Sequence, residues 1–178
     1  MSILKVARMG HPVLRAKARP LEKSEIRSAV SQKLIDDMLD TMAEYHGVGL
    51  AAPQVHEGLR LFVAALDPGD GDDEEDIVPI ALINPEITVV GTDVVEDWEG
   101  CLSIPDIRGR VPRAREVKVR ALDRNGSRIE LSASDFSARV IQHETDHLDG
   151  VLFFDRMKSL ASMTFLDEYS RYWRKDQD

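Results

Sequence analysis

Two histidines, His143 and His147, stand four residues apart with Glu144 between them. In a helix, side chains at this spacing project from the same face, so the two imidazoles can bind one metal ion. Glu144 then lies near enough to take a proton from a water beside the ion without being a ligand itself. The pattern predicts metal-dependent hydrolysis, although two core histidines on a helix would show the same spacing.

Two histidines leave such a site short of a third protein ligand. No histidine follows His147, and the nearby downstream acids are Asp155 and Glu168. Upstream, Cys101 is the only cysteine of the chain. A lone cysteine is usually a small core residue, so residue types alone leave an acid and the cysteine as alternatives. A single cysteine also excludes an internal disulfide, which suits a reducing compartment.

Three segments resemble the motifs of the peptide deformylase family. They are Gly47-Val48-Gly49-Leu50-Ala51-Ala52-Pro53-Gln54, Glu99-Gly100-Cys101-Leu102-Ser103 and Gln142-His143-Glu144-Thr145-Asp146-His147. The N-terminal segment from Gly10 to Arg15 is similar to the family's opening, and the resemblance extends from about residue 3 to about residue 158. It implies an enzyme that removes the N-formyl group from the initiator methionine of nascent bacterial or organellar chains.

The resemblance implies a metal site made by Cys101, His143 and His147. The ion of this family is Fe²⁺, and Zn²⁺, Ni²⁺ or Co²⁺ can occupy the same ligands. Thiolate and imidazole ligands by themselves favour zinc, so the iron assignment comes from the family. Glu144 would accept the proton of the attacking water and return it to the leaving amine.

Further roles follow from the same resemblance. Gln54 and the backbone N–H of Leu102 would stabilise the oxyanion of the tetrahedral intermediate. Gly49 would hydrogen-bond the substrate through its backbone, and Arg108 would steady the peptide beyond methionine, although a surface arginine fits equally well. The methionine side chain needs an apolar pocket, and three residues are expected to line it: Val48, Leu102 and Val140.

Neighbouring residues carry weaker expectations. We expect Glu99 to make structural hydrogen bonds, and Asp146 either to support a ligand or to be a solvated helix acid. Arg139 departs from the family, since some members carry an apolar residue there, near the methionine pocket. The remaining histidines are not expected to be ligands: His11, His46 and His56.

The elements that must position these residues follow from periodicity and turn residues. Residues 24–46 show an apolar stripe (Ile26, Val30, Leu34, Met38 and Met42) and predict a helix capped by Ser24 and ended by Gly47. The motif helix is predicted over residues 135–149, with Ser134 as its cap, Gly150 beyond its end and Phe136 facing inward beside the histidines. A third helix is predicted over residues 159–173.

Short strands are predicted between the first two helices, over residues 59–66, 79–83, 86–90, 117–122 and 128–131. The Asn125-Gly126 pair predicts a hairpin turn between the last two. The acidic segment 67–76 predicts a solvated loop, because it lacks the ligand order of a calcium loop. With no repeating βαβ unit, the chain is expected to be a single α+β domain, mainly antiparallel, around the motif helix.

Composition restricts the partners. The chain has 178 residues, of which 43% are hydrophobic, and its net charge of −9 argues against stable nucleic-acid binding. No apolar run of about 18 residues is present, so no membrane span is expected. The basic N-terminus lacks a transit-peptide helix, which favours a cytoplasmic bacterial protein, with organellar origin left open. We expect a monomer or homodimer.

The basic, aromatic tail from Arg171 to Lys175 leaves two interpretations open. It could contact ribosomal RNA transiently, near the place where nascent chains emerge, or it could be a solvated helix end. The net negative charge favours the second interpretation, because it does not steer the chain toward RNA.

Two other functions compete with deformylation. A zinc peptidase would use the same two histidines, take a downstream acid as its third ligand and be indifferent to Cys101. A non-catalytic relative would bind a metal or a peptide without turnover. The presence of both Glu144 and Gln54 counts against it, because a binding protein needs neither.

Overall fold

An antiparallel sheet packed against one long helix forms the centre of the computed structural model, which describes residues 2–66 and 79–174. Five strands pair in sequence order: β1 (Gly49–Ala51), β2 (Leu61–Ala64), β3 (Ile80–Cys101), β4 (Ile104–Leu122) and β5 (Arg128–Ser134). The short β6 (Thr164–Phe165) pairs with β4 away from this path. All these pairings are antiparallel, which confirms the predicted α+β class.

Five α-helices accompany the sheet in the described residues: α1 (Lys23–Ile26), α2 (Ala29–Glu44), α3 (Asp135–Leu148), α4 (Phe153–Arg156) and α5 (Leu166–Tyr172). Three 3₁₀ turns lie at Pro12–Arg15, Ala52–Val55 and Leu160–Ser162. No helix in the described ranges is long and apolar enough to cross a membrane. The predicted acidic loop over residues 67–76 lies outside the described residues, as does Lys175 of the tail.

The first predicted helix has different ends in the structure. Ser28, rather than Ser24, caps α2, and its hydroxyl accepts a hydrogen bond from the backbone N–H of Ser31. Val30 therefore lies in the first turn of the helix and is 80% exposed, so its predicted place in the apolar core stripe is wrong. Ile35 is buried in the core instead. After the helix, His46 takes the left-handed conformation expected of Gly47 (φ 52°).

Strands β3 and β4 are much longer than predicted, whereas β2 is shorter than its predicted range of residues 59–66. The segments expected at 79–83 and 86–90 belong to the single strand β3, which is kinked at Asn84, where φ is 51°. The register with β4 shifts between Ile83 and Glu86, and an irregularity of this kind increases the local twist of a strand. The hairpin at Asn125-Gly126 is confirmed: Gly126 has a φ of 76° and its N–H bonds to Asp123.

The predicted helix over residues 159–173 is largely wrong. Only residues 166–172 are α-helical, because the chain leaves the 3₁₀ turn at Leu160–Ser162 and extends at Thr164 and Phe165 as β6, which pairs with Arg108 and Ile107 of β4. Here the hydrogen bonds available at the edge of β4 override the helical periodicity of the sequence.

The helix α3 covers one face of the sheet, and this packing orients the histidines. Ala138, Val140, Ile141 and Leu148 are buried in one cluster with residues of β2, β3 and β4. The capping position of Ser134 and the positive φ of Gly150 agree with prediction. Phe136 does not, since it is 60% exposed in the first turn, before the helix reaches the sheet.

Candidate metal centre

Cys101, His143 and His147 lie together between the sheet and α3. Cys101 is the last residue of β3 and pairs with Ile104 across a tight turn to β4. One ligand atom from each of the three residues lies within 4.8 Å of the others. Sγ of Cys101 is 3.3 Å from Nε2 of His147, and the two imidazole centroids are 5.0 Å apart. All three side chains are at least nine-tenths buried.

The donor set fits a metal ion. Burial by itself would raise the pKa of the Cys101 thiol, but His147 and His143 outweigh burial and lower this pKa well below its usual value. A thiolate and two imidazoles facing one another offer three metal-binding atoms on two elements. Neither downstream acid joins them: Asp155 pairs with Arg15, and Glu168 lies near Arg171.

Glu144 faces the same space from α3. It is 4% exposed, and its Oε2 atom has no hydrogen-bond partner among the described residues. Burial raises the pKa of Glu144 to about 6, against the opposing effect of the nearby histidines. A buried carboxylate oxygen with nothing bound to it is costly unless a ligand or water uses it. Glu144 can therefore hold or release a proton near neutral pH.

Gly49 of β1 packs against the Glu144 side chain. A β-carbon at this position would lie 2.8 Å from Cγ of Glu144, closer than real carbon atoms approach, and would also meet Oε1. A side chain at this position would displace the Glu144 carboxylate, so the glycine of the first motif is needed to keep the carboxylate where it is.

We expect Gly49→Ala to lower kcat by about 10- to 100-fold, because displacing the carboxylate by a fraction of an ångström misplaces the proton acceptor. Metal content should stay unchanged, since no ligand moves. Gly58→Ala is the matched control: a β-carbon there meets nothing within 4 Å. Steady-state kinetics with metal analysis measures both variants, and equal activity of the two would contradict the packing argument.

A buried ionic network holds His143 in place. The Glu99 carboxylate accepts hydrogen bonds from Nε (2.9 Å) and Nη2 (3.0 Å) of Arg113, from Nη1 of Arg139 (2.8 Å) and from Nδ1 of His143 (2.9 Å). Burial raises the pKa of Glu99, but the bonds to His143 and Arg113 outweigh it and bring the pKa to about 2. Because Nδ1 of His143 faces this carboxylate, Nε2 is left for an ion.

Asp146 extends the network away from the ligands. It accepts from Arg113 at 2.6 Å and from Arg156 at 2.7 Å, and it is 7% exposed. Of the two interpretations of this residue, the solvated acid is therefore wrong. Asp146 supports Arg113, which in turn supports Glu99.

The sequence suggested that Arg139 would lie near the methionine pocket, but its side chain is directed into the Glu99 network. Its buried guanidinium donates to the carbonyls of Val95 (2.7 Å) and Val111 (2.8 Å) as well as to Glu99. It thus links α3 to β3 and β4 within the network. Arg113 was not singled out from the sequence, because its contact with Glu99, 14 residues away, depends on the register of a long hairpin.

Removing the central carboxylate with Glu99→Ala is expected to lower the free energy of unfolding by about 3–5 kcal/mol, since it leaves two buried arginines without their shared counter-ion. Urea unfolding of the metal-free protein measures this change. Glu96→Ala removes a carboxylate three residues earlier whose ion pairs are half exposed, and it should cost less than about 1 kcal/mol. Equal losses would mean that the network contributes no more than a surface pair.

Gln54 contacts Cys101 from the 3₁₀ turn that follows β1. Its Oε1 accepts from the backbone N–H of Ala51 (2.8 Å), and its Nε2 donates toward Sγ of Cys101 (3.5 Å) and Oγ of Ser103 (3.2 Å). Leu102 follows Cys101 in the tight turn and is half-buried. The structure therefore brings Gln54 and Leu102 beside the three predicted ligands.

The residues expected to bind substrate lie around this centre at different depths. Gly49 belongs to β1, which ends the five-stranded sheet, and Val48 beside it is 45% exposed. Val140 is 5% exposed and packs in the core. Arg108 lies against Gly100, and its Nη1 donates to the carbonyl of Ile107.

The other three histidines belong to no group of potential ligands in the described ranges. The rings of His11 and His56 meet edge to face with centroids 4.7 Å apart, and Nδ1 of His11 accepts from the backbone N–H of Val13. His46 ends α2.

Comparisons with known proteins agree along most of the chain. The family model described as polypeptide deformylase matches residues 3–163. Peptide deformylase 2 of Nostoc sp. is 43% identical over 175 residues, which are 98% of this chain and 97% of the relative. The chloroplastic peptide deformylase 1B of Solanum lycopersicum is 40% identical over 98% of this chain and 60% of the relative.

A solved structure has the same fold. The class I type b peptide deformylase of Acinetobacter baumannii, with Met-Ala-Ser bound, superposes with a TM-score of 0.79 at 40% identity. The match covers 88% of this chain and 100% of that one.

Proposed function

The chain belongs to the polypeptide deformylase family, the metal-dependent hydrolases that remove the N-formyl group from nascent peptides, and from this premise we propose that its reaction takes place where Cys101, His143 and His147 converge. The observation that carries the proposal is the position of Glu144 beside the three ligand atoms, with a buried carboxylate oxygen that no described residue binds. Such an oxygen suits a group that exchanges protons with water and substrate.

Cys101, His143 and His147 would hold one divalent ion, most consistent with Fe²⁺ through the family, although the ligands alone also suit Zn²⁺, Ni²⁺ or Co²⁺. When bound, the ion supplies a Lewis acid that polarises the formyl carbonyl and lowers the pKa of water. Glu99 keeps the ring of His143 oriented toward the site through its bond to Nδ1.

Proton transfer belongs to Glu144. Its carboxylate accepts a proton from the attacking water and delivers it to the amine that leaves the formyl carbon. The raised pKa supports both halves of this cycle, because a carboxylate with a pKa of about 6 is a stronger base than an exposed one and returns the proton near neutral pH. Gly49 leaves room for the carboxylate in this position.

Charge on the formyl oxygen is balanced by Gln54 and by the backbone N–H of Leu102. Both lie beside Cys101, one in the 3₁₀ turn after β1 and the other in the tight turn after β3. Two fixed donors aimed at the place where charge develops lower the barrier more than they stabilise the substrate.

The peptide binds along β1. Among the described strands, β1 pairs only with β2, along one of its edges. The backbone of Gly49 can therefore hydrogen-bond an extended peptide along the other edge. The methionine side chain would contact Val48, Leu102 and Val140, and Arg108 would contact the peptide further along. The Met-Ala-Ser peptide bound to the Acinetobacter relative supports a methionine at the first position.

The experiment that tests this function measures formate release from an N-formyl-methionyl peptide, with protein purified without oxygen and analysed for metal. We expect rapid release that a chelator abolishes and that returning the ion restores. No release from a metal-loaded sample would contradict the proposal and leave the site as a peptide- or metal-binding relic.

The natural partners would be nascent chains that begin with N-formylmethionine. Relatives of this chain are bacterial and chloroplastic, so the enzyme would act in the bacterial cytoplasm or in an organelle. A transient encounter with the ribosome would bring the enzyme to its substrate, without stable nucleic-acid binding. We propose that it does so as a monomer or homodimer.

A further inference from the structure

Both amide hydrogens of Gln54 are engaged within the structure. Its Oε1 accepts from the backbone N–H of Ala51, which can only donate, so this bond fixes which end of the amide is oxygen. The nitrogen end therefore faces Cys101 and Ser103, and each of these residues accepts a hydrogen bond from one of the two amide N–H groups. To donate to a substrate, Gln54 must break one of these two hydrogen bonds.

Ser103 is placed to keep the hydrogen bond that it accepts from the Gln54 amide. It is fully buried, with an exposure of 0%, and its Oγ lies 3.2 Å from Nε2 of Gln54. The contact to Cys101 is longer, at 3.5 Å, and lies on the side of the predicted ligands. The hydrogen that points at Cys101 is thus the one that a substrate oxygen in the site can reach.

The N-terminal segment fixes the spacing of this pair. The backbone N–H of Ala7 donates to the carbonyl of Gln54 at 2.7 Å, and that of Met9 donates to the carbonyl of Ser103 at 2.8 Å. One short stretch of chain therefore binds both backbones, so the distance between the hydroxyl and the amide is set by the fold rather than by side-chain flexibility.

We propose that Ser103 is a positioning residue for deformylation. Its hydroxyl accepts one N–H of the Gln54 amide, so the second N–H stays directed at the metal site. When substrate binds, this second N–H exchanges its hydrogen bond to Cys101 for one to the formyl oxygen. This inference rests on the proposed function. Without the hydroxyl, only the bond from the Ala51 N–H to Oε1 still orients the amide, so the donor is held less tightly and is correctly oriented for a smaller part of the time.

A double-mutant cycle tests the inference through formate release. We expect Ser103→Ala to lower kcat about tenfold, the effect of losing one hydrogen bond, with KM changed less than about twofold. Gln54→Ala should lower kcat about 100-fold or more. In the Gln54→Ala background, Ser103→Ala should change kcat less than about twofold, because Ser103 acts only through the amide.

Ser31→Ala is the matched control, since Ser31 is also a buried, hydrogen-bonded serine but lies in α2. It should leave kcat unchanged. A tenfold loss from Ser103→Ala in both backgrounds would overturn the inference, because it would show a general structural effect. Equal activity of Ser103→Ala and the unmodified enzyme would overturn it as well.

A second measurement needs no turnover and separates this inference from the proposed function. In the zinc-loaded protein, the two side-chain amide protons of Gln54 should give distinct, slowly exchanging NMR signals, and Ser103→Ala should speed their exchange with water. Unchanged exchange would overturn the role of Ser103, whether or not formate is released.

Discussion

Replacing Glu144 by glutamine is expected to lower kcat for formate release by about 100- to 10,000-fold while the metal stays bound. Glutamine keeps the size and buried position of the side chain but cannot take up a proton. The three ligand atoms come from Cys101, His143 and His147, so the ion loses no contact. Steady-state kinetics on samples of measured metal content gives the result.

The matched control for this substitution is Glu57→Gln, which makes the same chemical change at an exposed glutamate beyond the 3₁₀ turn that carries Gln54. It should retain full activity. A Glu144→Gln enzyme that keeps its full kcat would show that the proton is handled by another group. Loss of the metal together with activity would instead show that Glu144 holds the ion.

The second large effect is expected from Cys101→Ser. A neutral hydroxyl replaces the only thiolate of the donor set, and we expect the affinity for the ion to fall more than about 100-fold, with activity lost at low metal concentration. Titration with a competing chelator measures the affinity. Cobalt substitution adds an independent check, since the thiolate–metal absorption band should disappear.

This substitution also decides between deformylase and peptidase ligand sets. In a site of the peptidase kind, a downstream acid would be the third ligand, and Glu168→Gln would release the metal. Glu168 lies near Arg171 on α5, outside the group of converging ligand atoms, so we expect Glu168→Gln to keep both metal and activity. If the Cys101→Ser variant kept its metal and the Glu168→Gln variant lost it, the peptidase arrangement would be favoured.

The centre of the site could be predicted from the sequence because its geometry is local. His143, Glu144 and His147 depend only on the pitch of one helix, and α3 begins at its predicted residue. Cys101 lies on another element, and residue types alone did not distinguish it from two downstream acids as the third ligand. It entered the ligand set only through its motif, and the structure brings it to the histidines.

The supporting network could not be predicted in the same way. Arg113 reaches Glu99 because β3 and β4 pair with Glu99 opposite Gly109, a register shaped by three irregularities along the hairpin. No local pattern encodes that register. The start of α2 was misplaced for another reason: Ser24 and Ser28 are both suitable caps, and the interruption between α1 and α2 depends on tertiary packing.

The sequential order of the five main strands has a consequence for folding kinetics. Each of their pairings joins neighbours in the chain, so sheet formation needs no crossover past an intervening strand, and this keeps its entropic cost low. Cys101 and His147, by contrast, are 46 residues apart. We expect refolding to form the hairpin of β3 and β4 first and to create ion affinity only when α3 docks. Pulsed hydrogen exchange should therefore detect protected amides in that hairpin before any metal is captured, and during synthesis the enzyme should stay inactive until its own C-terminal third has emerged.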